Sequence, residues 1–268
     1  MKKKRWGLNI LLIVFVLVFL GSGGYLVHYY MTAQKSQNDL EELSGLKVTT
    51  VMKDGSTWEE VETSDGTKIS KKYSKLYEKN KDIVGWITIK DTPIDYPVMQ
   101  TKEDPEYYIH RNYEKKEDKN GLPFLDAGCD VNEAYGNLMV YGHHMKSGMM
   151  FAHLLDYQDE NFYKRHKIVL FDTLHEERKY EVVAAFYSQI YGEKDDVFKY
   201  YNYVGKLSEK QFNTYVKNIK KLSRYDTGVT PKYGEQLLSL VTCAYHTEEG
   251  RFVVVARRVD EESTKGDK

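Results

Sequence analysis

Two cysteines, Cys129 and Cys243, are the only thiols in 268 residues, so no disulfide framework staples this chain. In an extracytoplasmic setting that scarcity draws attention to a free thiol, although a single bond between the two stays open. An excess of one charge is also missing. Lys and Arg number 39 against 40 Asp and Glu, a formal net charge of −1, whereas recognition of a phosphate backbone needs a basic excess on some face, so nucleic acid is not an expected partner. The chain has no CxxC pair, no HExxH, no internal repeat and no low-complexity tract. His143, His144 and His153 are close in sequence, with Asp126 and Cys129 upstream. Adjacent histidines on a regular strand do not easily both reach one ion, so neither a metal nor another cofactor is expected.

What is present begins with a long apolar run. Lys2–Arg5 are basic, and no Asp, Glu, Lys or Arg follows until Lys35. Taken as a helix, Trp6–Met31 would be roughly 39 Å long at ~1.5 Å per residue, enough to cross a hydrocarbon core of ~30 Å. The basic cluster before it predicts an N-inside anchor, with Tyr25, Tyr29 and Tyr30 at the outer interface. A cleaved signal peptide is the alternative, because Leu8–Leu20 has the length of an h-region and small residues follow at Gly21–Gly24. Apolar character resumes at Tyr25–Tyr30, which favours the uncleaved anchor. The expected organisation is a cytoplasmic basic terminus at 1–5, an anchor at 6–31 and a polar stalk at 32–70. An extracytoplasmic domain follows at 71–260, and a polar tail at 261–268.

Within the domain, Tyr73, Leu76 and Tyr77 fall at helical spacing and predict a short amphipathic helix over Lys71–Asp82. Strand-like segments then recur between turns: Gly85–Ile89, Ile94–Met99, Leu122–Leu125, Asn137–Tyr141, Ile168–Phe171, Tyr180–Phe186, Leu237–Thr242 and Arg251–Val255. Their β-branched and aromatic content, in short pieces, predicts an all-β barrel or sandwich with added helices. Met149–His166 reads as helical. A stronger helix signal lies at Ser208–Gln211, a capping box followed by Phe212, Tyr215, Val216, Ile219 and Leu222 on one face.

The stretch Gln236–Val259 carries the chemistry. Its first strand ends at Cys243, its second opens at Arg251, and a hairpin returns both to one rim of a sheet. A thiol that attacks an acyl carbon needs a proton carrier and a group to stabilise the oxyanion. In VYGHHM, Val140–Met145, His143 and His144 end an apolar strand after Gly142, which would let the backbone turn sharply and aim a histidine at a shared rim. The blander readings are a buried structural cysteine, a solvated arginine and a loop histidine.

Together, SLVTC at Ser239–Cys243, Arg251 in GRFVVVARR, and VYGHHM resemble the sortases, specifically class B. The likeness extends through NKDIVGWITI (Asn80–Ile89), IDYPVMQ (Ile94–Gln100), GLPFLD (Gly121–Asp126) and GMMF (Gly148–Phe151). It implies a closed eight-stranded barrel with N-terminal helices and a long helix between strands six and seven, where Ser208–Leu222 falls. It also implies a transpeptidase on the outer face of a Gram-positive cell membrane. The enzyme would cleave an NPxT-type sorting motif after Thr and pass the cargo protein to a cell-wall amine. By position, Cys243 would be the nucleophile, His143 the general acid and base, and Arg251 the oxyanion and substrate group. Tyr141 and Thr242 would contact substrate. The chain departs from the family where SLVTC replaces the frequent TLSTC and His144 the common Asn, so Val241 and Ala244 flank the cysteine. A thiol peptidase using water, and a non-catalytic anchored scaffold with Cys243 buried or bonded to Cys129, are the alternatives. With ordinary pKa values of ~8.5 for a thiol and ~6.5 for an imidazole, on the order of 1% of molecules at pH 7 would hold thiolate and imidazolium together.

Overall fold

The computed structural model describes residues 2–48 and 58–259, and the chain divides into two compact units after Glu41. The first unit is helical. Helix α1 (Lys2–Gly45) contains the whole apolar run, and its large apolar residues from Trp6 to Met31 are exposed. By length and composition it is the one helix among the described residues able to cross a membrane. Past the predicted anchor the same helix continues to Gly45, and later in the 32–70 segment Glu60–Glu62 (β1) and Lys68–Ser70 (β2) form an antiparallel hairpin. Residues 49–57 and the expected tail at 261–268 lie outside the described residues.

Ser70 closes the hairpin and caps helix α2 (Lys71–Lys79), its hydroxyl accepting the Lys72 N–H. Tyr73 and Leu76 bury the apolar face predicted for this helix. Eight further strands then form a closed barrel. They are β3 (Ile83–Thr88), β4 (Asp95–Met99), β5 (Phe124–Leu125), β6 (Gly136–Tyr141), β7 (Ile168–Thr173), β8 (Lys179–Gln189), β9 (Gln236–Cys243) and β10 (Gly250–Val259). Their order around the barrel is β10, β8, β7, β3, β4, β5, β6, β9. Closure leaves no unpaired edge row of N–H and C=O groups. Between β6 and β7 the expected helix resolves into a 3-10 segment, Phe151–Gln158, and a short helix α3 (Glu160–Arg165).

Between β8 and β9, the sixth and seventh barrel strands, lies helix α4 (Glu209–Leu222) with the reciprocal Ser208–Gln211 capping box. Phe212, Tyr215, Val216 and Ile219 are buried, whereas Leu222, at the last turn, is 44% exposed. Helix α4 packs on β8, and the 3-10 segment packs on β8, β9 and β10. Covering these strands from outside explains why β9 is buried along Gln236–Thr242 instead of alternating.

A polar cluster joins the end of α1 to the barrel within the second unit. The Asp95 carboxylate accepts hydrogen bonds from Trp86 Nε1 (2.7 Å), Thr88 Oγ1 (2.7 Å), Ser44 Oγ (2.9 Å) and Lys47 Nζ (3.2 Å). The Lys47 ammonium also lies 4.1 Å from the Trp86 ring centroid. Burial alone would raise the Asp95 pKa. The bonds from Trp86 and Thr88 and the Lys47 charge outweigh it and hold the carboxyl below its ordinary value. The stabilisation is therefore present above the ordinary carboxylate pKa of ~4 and is lost as pH falls through the lowered one. Asp95→Ala is expected to lower the stability of the folded chain by roughly 2–3 kcal/mol, since it orphans an indole N–H and an ammonium. Denaturant unfolding measures this, and an unchanged midpoint would contradict it.

Candidate active site

Two strands that run side by side and one that runs back build the rim. Strands β6 and β9 are parallel, with Tyr141 opposite Val241, so the residues that follow them emerge at the same end of the barrel. Strand β10 returns antiparallel from that end, and its Arg251 is the direct Cα partner of Cys243. The pairing of β6 with β9 continues past the strand ends. Gly142 N donates to Val241 O (3.0 Å), Thr242 Oγ1 donates to Gly142 O (2.8 Å), and His144 Nδ1 bonds Cys243 O (3.1 Å). His143 lies between these contacts in the chain, at the same barrel end as Cys243. The structure thus brings Cys243, His143 and Arg251 to one rim, although His143 is a hundred residues earlier in the chain.

The His143 ring is held from a third direction. Its Nε2 lies 2.7 Å from the carbonyl oxygen of Ile109, on the 3-10 turn Tyr107–His110. A carbonyl only accepts, so Nε2 carries a proton and Nδ1 is the nitrogen left to exchange one. His110 stacks on the same ring, with centroids 5.4 Å apart and planes 16° from parallel. Burial lowers the His143 pKa. The Ile109 carbonyl works against that, and the His110 charge adds to it.

Gly142 serves a different purpose from the sharp turn expected of it. It does not adopt a left-handed φ. Instead, a Cβ there would come within 2.6 Å of the Phe151 ring. Phe151 N in turn donates to His143 O (2.8 Å). Glycine is required for the 3-10 segment to dock against the histidine loop.

Arg251 Nη1 donates to Gly250 O (3.0 Å), and Nη2 lies 3.2 Å from Glu249 Oε2. The Glu249 side chain is 64% exposed, so this ion pair is weak and readily exchanged for another anion. Cys243 is a free, half-buried thiol, and Cys129 is free and buried. Burial pushes the Cys129 thiol up to about 11, and the scaffold reading with a bond between the two cysteines has no counterpart here. Thr242, expected to face substrate, is 2% exposed and braces the histidine loop through its hydroxyl. Tyr141 is half-buried, packs on Phe124 (5.5 Å) and donates to Asp126 Oδ2 (3.0 Å). Sequence reasoning missed Tyr200, whose hydroxyl is buried without a hydrogen-bond partner and lies within electrostatic reach of Arg251 and Cys243. No spacing pattern marks it, because it arrives from the segment between β8 and α4.

A barrel whose rim carries a thiol, an imidazole and a guanidinium from three different strands or strand ends is the architecture of a sortase domain. The chain matches that family, described as a sortase domain, over residues 87–259, and it belongs to the sortase family. Its relatives put it in class B. It is 33% identical to sortase B of Listeria monocytogenes over 186 residues, 69% of this chain and 72% of that protein. Sortase B of B. anthracis in complex with AAEK1 superposes with a TM-score of 0.69 at 31% identity, over 87% of this chain and all of that one. The Staphylococcus aureus sortase B–substrate complex gives 0.63 at 28% identity, over 72% and 87%. The protein is a sortase B-type cysteine transpeptidase.

The two thiols should behave differently. A maleimide added to the folded chain is expected to label Cys243 promptly and Cys129 only after denaturation, as read by peptide mass spectrometry. Labelling of Cys129 at a comparable rate in the folded protein would contradict its burial.

Proposed function

We propose that this sortase acts through Cys243, His143 and Arg251 on an NPxT-type sorting motif. The observation that carries the reading is the shared rim, where Arg251 is the cross-strand partner of Cys243 and the β6–β9 pairing runs His143 past the cysteine. The Cys243 thiolate attacks the carbonyl carbon of the motif's Thr, and the developing oxyanion is neutralised by the Arg251 guanidinium. As the C–N bond breaks, imidazolium at His143 gives its Nδ1 proton to the departing amine, leaving a thioester on Cys243. A cell-wall amine then attacks that carbonyl, neutral His143 takes its proton, and the thiolate leaves. Tyr141 lines the groove in this reading. Thr242 acts through the loop that it braces.

The apolar helix Trp6–Met31 is proposed to anchor the chain in the cell membrane with Lys2–Arg5 inside, which supports a catalytic domain on the extracellular face of a Gram-positive cell. The cargo would then be surface proteins bearing the motif, and the acceptor a peptidoglycan precursor or cell-wall peptide.

Lowering the His143 pKa also shifts the pH dependence. Active molecules hold one proton between thiol and imidazole, so the acid limb of kcat/KM follows the second protonation, and burial of His143 puts its midpoint below ~6.5. Cleavage of an NPxT peptide should be bell-shaped in pH, abolished in Cys243→Ala, and reduced at least tenfold in Arg251→Lys, since an ammonium lacks the planar fork. With an added glycine peptide the main product should be the transfer product. A rate flat from pH 5 to 9, residual cleavage in Cys243→Ala, or hydrolysis alone would overturn the reading.

A further inference from the structure

His143 is gripped by two consecutive residues of a turn that belongs to no barrel strand. Ile109 supplies the carbonyl that bonds Nε2, and His110 supplies a second imidazole lying on the ring face. The turn itself is firmly held. Tyr108 is buried, donates its hydroxyl to Asp82 Oδ2 (2.7 Å) and accepts from Asn80 Nδ2 (2.8 Å). Leu122 N bonds Tyr108 O (3.0 Å), and Asp118 N bonds His110 O (3.0 Å). Gly121, at φ +56, is pressed so close that a Cβ would meet Ile109 O at 2.3 Å. The backbone of His110 is therefore fixed while its side chain stays exposed to solvent.

Charges reach this corner from several elements. Cys243 and Arg251 come from β9 and β10, and His144 follows His143. Arg111 is engaged over the Tyr107 ring, 4.6 Å from its centroid, and with Lys115 O (3.3 Å). The Asp118 carboxylate accepts the Asn120 N–H (2.9 Å). His110 is the titratable group whose ring stacks nearly parallel to the His143 ring, 5.4 Å between centroids.

We propose that His110 is a positioning residue for His143: its ring forms the shelf that keeps the imidazole in register with Cys243, and a charge on that ring opposes the imidazolium. This rests on the reading of His143 as proton carrier. Two stacked imidazoles cannot both charge without mutual repulsion. At a centroid separation of 5.4 Å the repulsion is not screened out, because it acts within the ~8 Å Debye length of physiological salt. A charge on His110 delays that of His143, so activity reaches further into acid while the fraction holding thiolate and imidazolium together is reduced.

The test uses the full chain in detergent micelles, with histidines labelled at Cε1. NMR titration of His143 is compared in the wild type, His110→Phe and His110→Ala, beside kcat/KM profiles for an NPxT peptide. Phe keeps the shelf and removes the charge. In His110→Phe, the His143 midpoint and the acid limb are both expected to rise by about 0.5 pH unit, with the neutral-pH rate kept within threefold. In His110→Ala the midpoint rises likewise and the rate at neutral pH falls at least fivefold. Circular dichroism confirms that each variant is folded. A His143 midpoint unchanged in both variants overturns the coupling, and an unaltered rate in His110→Ala overturns the shelf. A shifted NMR midpoint with no change in the kinetic acid limb would leave the coupling standing and count against His143 as proton carrier, which separates the two readings.

Discussion

The parallel pairing of β6 with β9 is the constraint on which the site depends. Six residues of each strand are in register from Gly136 with Gln236 to Tyr141 with Val241. The two chain segments therefore leave the barrel together, one carrying His143 and the other Cys243. Side chains alternate in a strand, so a slip of one residue would turn either group to the opposite face. The register is fixed by burial along β9 and by a polar chain through the interior. Ser239 Oγ bonds both Asn137 Oδ1 (2.8 Å) and Tyr215 OH (2.8 Å), and Asn137 Nδ2 donates to Tyr203 O (2.7 Å). Strand β6, strand β9, helix α4 and the segment before it are thus tied at one buried point. Such a network specifies a single arrangement, because any other leaves buried polar groups unpaired.

Reactivity at the rim then becomes a matter of contrast between like groups. Cys129 is enclosed, and its thiol is pushed up by burial. Cys243 stands half-exposed at a strand end, opposite an arginine. Likewise His144 is committed to the Cys243 carbonyl, whereas His143 bonds the Ile109 carbonyl through Nε2, and in the proposed mechanism its Nδ1 moves the proton. The neighbouring histidines of VYGHHM are thereby distinguished by what each ring nitrogen touches.

Much of this was legible in the sequence. The eight strands were marked by short β-branched runs, and α4 by its capping box, because both signals are local. The hairpin Gln236–Val259 placed Cys243 against Arg251, since a returning strand must meet the one before it. The family likeness then supplied His143. Contacts made between distant segments were not legible. Ile109, His110 and Tyr200 reach the rim from connections whose course depends on the whole barrel, and no periodicity marks them. The need for glycine at 142 arises from Phe151 across the loop, a clash that the local string VYGHHM does not contain. The hairpin of β1 and β2 was hidden by its shortness, and its three-residue strands are held by pairing more than by apolar pattern.

The account stands on Cys243 holding the substrate acyl group while His143 and Arg251 act at the same rim. The most direct measurement is intact-protein and peptide mass spectrometry of the enzyme quenched in acid during turnover of an NPxT peptide without added amine. The account predicts an adduct of the motif's N-terminal fragment as a thioester on Cys243, discharged when an amine is supplied. Turnover of the peptide with no acyl group on Cys243, or with the adduct elsewhere, would contradict it.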